Sequence, residues 1–160
     1  MGGTTPAAES EGRDGRGGQF ATFVVDGVWF GIEVPCVQEV LRAQPLTRVP
    51  RAAGAIEGLI NLRGQIVTAL DMRRRLGLRA RGADGAPMNL VIRAGDGAVS
   101  LLVDEIGDVL DVEPSAFEDI PESVPAGIRS VATGVYKLEH RLLITVSAAQ
   151  VLDQRRAAVA

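Results

Sequence analysis

The sequence predicts a mainly β fold made of two similar small barrels packed together, with short helices that include one at the C-terminus. Three observations carry this reading. Hydrophobic residues make up 46% of the chain but aromatics only 4%, so the core must be built from Val, Leu, Ile and Ala, a composition that suits strands. From Phe20 onward, short apolar segments alternate with turn residues. The same landmarks then occur twice in the same order, which marks two related halves.

The elements follow in chain order. Residues 1–18 are Gly-rich, polar and without periodicity, and cannot bury enough apolar surface to offset the entropy of ordering, so they are expected to form a disordered tail. The first landmark is Asp26-Gly27, between FATFVV and VWFGIEV. Its counterpart is Asp96-Gly97, between NLVIRAG and AVSLLVD. Asp-Gly between apolar runs signals a hairpin, because both residues tolerate positive φ.

The second landmark is the set Val34, Val37, Glu39, Val40 and Leu41, answered by Val103, Ile106, Asp108, Val109 and Leu110. The third is GLINLRGQIVTAL, Gly58 to Leu70, matched in hydrophobicity by GVYKLEHRLLITV, Gly134 to Val146; both read as hairpins with a charged tip. The fourth is an N-cap before a helix-forming segment, Asp71 before MRRRLGL and Ser147 before AAQVLD, with Gln150 at capping-box spacing from Ser147. The expected organisation is a single domain over 19–154, with barrels at about 20–78 and 88–153, the linker RARGADGAP between them and a tail at 155–160. Closing each half into a barrel protects strand edges.

Composition excludes several function classes. A formal charge of −3 and a pI near 5.2 give no general attraction for nucleic acid or anionic membranes. One cysteine, Cys36, and one histidine, His140, rule out an internal disulfide and the usual Cys/His zinc cluster. The N-terminal segment lacks the apolar stretch of a secretory signal, and no apolar run has bilayer-spanning length, so a cytoplasmic location without membrane insertion is expected. Gly2 does not make a myristoylation site, since Pro6 stands where Ser or Thr is required.

Reactive chemistry is sparse. His140 sits in the polar tip Glu139-His140-Arg141 and reads as a solvated turn residue, while Cys36 among apolar neighbours reads as an inert thiol. The pairs Asp104-Glu105 and Glu118-Asp119 alternate faces on a strand and are expected to be surface acids. Arg73-Arg74-Arg75 is expected to complement a helix dipole and solvate a surface. No phosphate-binding glycine motif is present. A binding module is therefore favoured over an enzyme using Cys36 or His140, and over a small-ligand or nucleic-acid-binding barrel.

The segments VQEV, TRVP, IEGLINLRGQIVTALDMRRRLGL and LLVDEIGDVL, in that order, resemble the CheW coupling-protein family of bacterial chemotaxis, from about Phe20 to Asp153. The resemblance implies two five-stranded SH3-like barrels, no catalysis and no cofactor or metal. It also implies an adaptor that couples methyl-accepting chemoreceptors to a CheA-type histidine kinase, with related scaffolds in pilus motility and surface sensing as the alternative. On the kinase side it implies Arg63, Glu39, Leu46 and Thr47, with Arg63 and Glu39 as a pair. For the receptor it implies an apolar groove lined by Val34, Val37, Val40 and Ile106. A guanidinium holds a carboxylate with directed hydrogen bonds that lysine does not reproduce.

Overall fold

The computed structural model describes residues 17–52, 54–82 and 85–153. The expected tail at 155–160 lies outside them, and of that at 1–18 only Gly17 and Gly18 are described, Gly18 already opening the first strand.

Twelve strands form among the described residues: β1 (Gly18–Val25), β2 (Val28–Glu33), β3 (Val37–Leu41), β4 (Thr47–Arg48), β5 (Ile56–Leu62), β6 (Gln65–Asp71), β7 (Met88–Ala94), β8 (Gly97–Val103), β9 (Glu105–Val112), β10 (Phe117–Glu118), β11 (Ala132–Leu138) and β12 (Arg141–Val146). Three one-turn helices accompany them: α1 (Met72–Arg75), α2 (Ala126–Arg129) and α3 (Ala148–Val151). Both expected N-caps are made. Asp71 accepts from the Arg73 amide, and Ser147 from the Gln150 amide. The β7–β8 turn falls on Gly95 and Asp96 instead of Asp96-Gly97, because Ala94 pairs with Gly97 and Gly95 supplies the positive φ.

The chain is mainly β and arranged in two sheets. One has the order β10-β11-β12-β2-β1-β9, the other β3-β7-β8-β6-β5-β4. Each contains five longer strands plus one two-residue edge strand, β10 or β4. The expected barrel boundaries of about 20–78 and 88–153 do not describe these sheets. One sheet is built from the middle of the chain, residues 37–103, and the other from residues 18–33 together with 105–146. The halves have exchanged their first hairpins: β1–β2 completes the sheet of the second half, and β7–β8 completes the sheet of the first.

The physical reason is where the chain turns. A 3-10 turn at Val34–Cys36, with Pro35 in its first turn, diverts the chain between sheets after β2, and the single residue Asp104 does the same between β8 and β9. The exchange is sealed by two parallel pairings. Strand β6 pairs with β8 from Thr68–Val99 to Asp71–Leu102, and β12 pairs with β2 at Ile144–Phe30 and Thr145–Gly31.

Strand alternation then distributes the apolar residues over three cores. The largest lies between the sheets and includes Phe23, Phe30, Leu90, Ile92, Leu101, Val103 and Ile144. Val91 and Leu102, the alternate residues of β7 and β8, join Ile60, Leu62, Val67 and Ala69 inside the mid-chain sheet. Phe20, Val112, Tyr136 and Leu143 fill the other sheet. Strands buried on both faces read as continuous apolar runs, which accounts for NLVI and SLLV.

Neither sheet closes through backbone pairing, since each strand order ends in two edges among the described residues. The two-residue strands β4 and β10 are short enough to limit their exposed edges.

Candidate functional site

The β5–β6 hairpin turns on Arg63 and Gly64, with φ of 52° and 86°. Two-residue hairpin turns favour positive φ, which glycine adopts freely and arginine rarely. The Gly64 amide donates to Asn61 Oδ1 at 2.8 Å and fixes the tip. From there Arg63 Nη2 donates to Glu39 Oε2 on β3. In strand order β3 and β5 stand at opposite sides of the mid-chain sheet, separated by β7, β8 and β6. The sheet therefore curls on itself, and this ion pair bridges the mouth where backbone pairing does not. The Arg63 side chain is 68% exposed and that of Glu39 20%. The hydrogen bond it donates to Glu39, and then the charge of that carboxylate, push the Arg63 guanidinium still higher than its ordinary value, so it stays ionised.

The other residues expected on the kinase side, Leu46 and Thr47, sit further from the hairpin tip. Thr47 is exposed on β4 and pairs with Leu59, four residues before Arg63, which is about 13 Å along the hairpin. Leu46 is half-buried against the mid-chain core. Gly58 sets how closely β4 approaches: a Cβ there would lie 2.3 Å from the Thr47 carbonyl oxygen.

Of the residues expected to line a receptor groove, Val37 on β3 and Ile106 on β9 pack against the same inter-sheet core, although their strands are edges of different sheets. Val34 is half-buried in the 3-10 turn, and Val40 is 42% exposed.

Sequence reasoning missed a charge cluster at the second crossover. Asp104, expected to be a surface acid, is partly buried and accepts from four donors. These are Arg73 Nε at 3.1 Å, Arg73 Nη2 at 2.7 Å, Arg81 Nη2 at 3.2 Å and the Asp26 amide at 2.7 Å. The arginine run is likewise not a solvated face. Arg73 binds Asp104 and the carbonyls of Arg79 and Ala80, Arg74 binds Glu57, and Arg75 is 4% exposed and donates to the carbonyls of Val151 and Gln150. The one signal available in sequence was Asp and Arg placed beside strand ends. Burial raises the pKa of Asp71 above the usual carboxylate value, although the charge of Arg81 opposes it.

Cys36 is half-buried, and burial, followed by the charge of Glu33, pushes its thiol up and away from thiolate chemistry. His140 is exposed on the β11–β12 tip. Among the described residues no group of three or more His, Cys, Asp or Glu could hold a metal ion, and no helix is long and apolar enough to cross a membrane.

Comparison with known proteins agrees with this geometry. A family model described as CheW-like domain matches residues 19–156. The chain is 34% identical over 138 residues to the chemotaxis protein CheW of Bacillus subtilis, covering 86% of this chain and 88% of that protein. It is 30% identical over 156 residues to the chemotaxis protein CheW of Rhizobium meliloti, covering 96% and 99%. In fold it is similar to the scaffolding protein TtCheW from Thermoanaerobacter tengcongensis, with a TM-score of 0.75 at 23% identity, covering 86% and 93%. This chain belongs to the CheW-like domain family and is a non-catalytic scaffold of chemotaxis signalling, not an enzyme.

Proposed function

We propose that residues 19–154 act as one coupling domain in the cytoplasm, joining a CheA-type histidine kinase to methyl-accepting chemoreceptors. The Arg63–Glu39 pair carries the reading for the kinase side. It stiffens an exposed hairpin tip, leaves most of the guanidinium available to a partner, and uses one donor of five. A side chain held by one carboxylate and presenting its remaining donors loses little entropy on meeting a second acceptor. Leu46 and Thr47 extend this surface along the barrel wall.

The receptor side is read from Val37 and Ile106, which bring edge strands of both sheets onto one core, with Val34 and exposed Val40 alongside. A helical tip laying an apolar face across that seam is a common recognition mode. Contact with both sheets makes the seam responsive to their relative position, so a receptor signal reaches the kinase by geometry.

Co-purification with a CheA-type kinase tests the reading. The chain is expected to retain the kinase, and Arg63→Glu to release it without unfolding. A kinase and receptors that both ignore the native chain would end the proposal.

A further inference from the structure

Register relates the two barrels residue by residue. Thr47 pairs with Leu59 in the mid-chain sheet, which sets Leu46 opposite Ile60; Phe117 pairs with Tyr136 in the other. Gly58 and Gly134 hold the same place in their hairpins, so Ile60 corresponds to Tyr136 and Leu46 to Phe117.

The two interiors are filled differently. Phe117 meets Tyr136 edge to face with ring centroids 5.5 Å apart, and Phe20 lies 5.7 Å from Tyr136 on its other contact. At the matching place the mid-chain barrel has two aliphatic side chains, and a cleft of about 520 Å³ opens beside them. Leu46, Ile60 and Leu102 line its apolar part. Arg48, Arg74 and Arg81 also line it, against the carboxylates Glu57 and Asp71. Arg48 and Arg74 share Glu57, at 2.5 and 3.1 Å, and the Arg48 side chain is 76% exposed.

The geometry points to a docking site for a single aromatic side chain carried on an acidic segment of a partner protein. The ring seats against Leu46, Ile60 and Leu102, and the flanking carboxylates meet Arg48 and Arg74. Shape and charge both select this occupant. The protein's own Phe117-Glu118-Asp119 shows that an aromatic-acidic segment completes such a barrel, and Arg48 and Arg74 share the single carboxylate of Glu57, which leaves a positive surplus at the rim, whereas Arg81 is taken up by Asp71 and Asp104. A second copy is not the occupant, because its Phe117 is engaged in its own barrel. Leu46 also belongs to the edge proposed to face the kinase, so the inference rests in part on that reading.

The test uses the whole chain and a synthetic peptide of Ser115–Pro121, with no kinase present, so its outcome is separate from that of kinase co-purification. Methyl resonances of Leu46, Ile60 and Leu102 are expected to shift on titration. Arg48→Glu is expected to weaken binding about tenfold, as loss of a charge-assisted contact does. Leu46→Phe, which puts a ring in the cleft, is expected to abolish binding, as is a peptide carrying Phe117→Ala. Unshifted methyls at saturating peptide, shifts centred on Leu143 and Val112 of the other barrel, or undiminished binding by folded Leu46→Phe would each overturn the assignment.

Discussion

Asp104 grips Arg73 through two hydrogen bonds, Nε to Oδ1 at 3.1 Å and Nη2 to Oδ2 at 2.7 Å, at the point where the chain leaves one sheet for the other. The same carboxylate receives the Asp26 amide from the turn of the exchanged β1–β2 hairpin and Arg81 from the linker. One residue therefore ties together the hairpin, helix α1, the linker and the crossover.

That arrangement fixes the sign of a pH effect. Burial acts to raise the pKa of Asp104, but the hydrogen bond from Arg73, that from the Asp26 amide and the neighbouring positive charge outweigh it and hold the carboxyl below its usual value. A depressed folded pKa gives stability that is present above the unfolded value near pH 4 and lost as pH falls through the folded one. Asp71, raised by burial, works oppositely: its contribution favours folding below the unfolded value and is lost as pH rises through the folded one. Asp104→Asn is expected to lower stability by about 1 kcal/mol at pH 7, after allowance for solvent screening, and by much less at pH 3. Urea denaturation at the two pH values checks it, and equal losses at both would refute the linkage.

Gly58 controls the wall that carries Leu46 and Thr47. An added methyl group 2.3 Å from the Thr47 carbonyl oxygen forces β4 off β5, since both partners are backbone. Gly58→Ala is expected to destabilise by about 1–3 kcal/mol and to speed amide exchange in β4. Unchanged melting together with unchanged exchange at Thr47 and Arg48 would contradict the close approach.

Arg75 joins the two capped helices across the molecule. Its buried guanidinium donates to the Val151 carbonyl at 2.8 Å and the Gln150 carbonyl at 2.6 Å, satisfying acceptors at the end of α3. Arg75→Ala is expected to cost about 2–4 kcal/mol in chemical denaturation. A loss well under 1 kcal/mol would mean that water replaces the guanidinium there.

Hairpin exchange makes a further demand. A protease site placed in the linker between Gly82 and Met88, cut after folding, is expected to leave the fragments together as one species in size-exclusion chromatography. Each sheet needs strands from both pieces. Fragments that separate in native buffer would contradict the topology.

Duplication was readable because turn chemistry and capping are local: Asp26-Gly27, the two Gly-initiated hairpins and the caps at Asp71 and Ser147 each act within a few residues. Which hairpin completes which sheet was not readable. NLVI and SLLV advertise burial on both faces but carry no label for their neighbours, and the assignment depends on where Pro35 and Asp104 turn the chain. The candidate site was half legible. Glu39 and Arg63 were singled out through the resemblance to the CheW family, and the curl of the sheet brings them together. Asp104 was misread because alternation along a strand predicts exposure, whereas it lies in the break between two strands, where alternation does not apply; the arginines of α1 were misread because dipole complementation says nothing of acceptors that the fold brings from distant segments.

In the proposed function, the Arg63–Glu39 bridge presents the surface through which this scaffold couples kinase to receptor. Receptor-controlled kinase activity, reconstituted from receptor-bearing membranes, a CheA-type kinase and this protein, tests it most directly with charge exchange. Arg63→Glu and Glu39→Arg alone are each expected to abolish coupling, and the double exchange to restore part of it. Full coupling by either folded single variant would contradict the account.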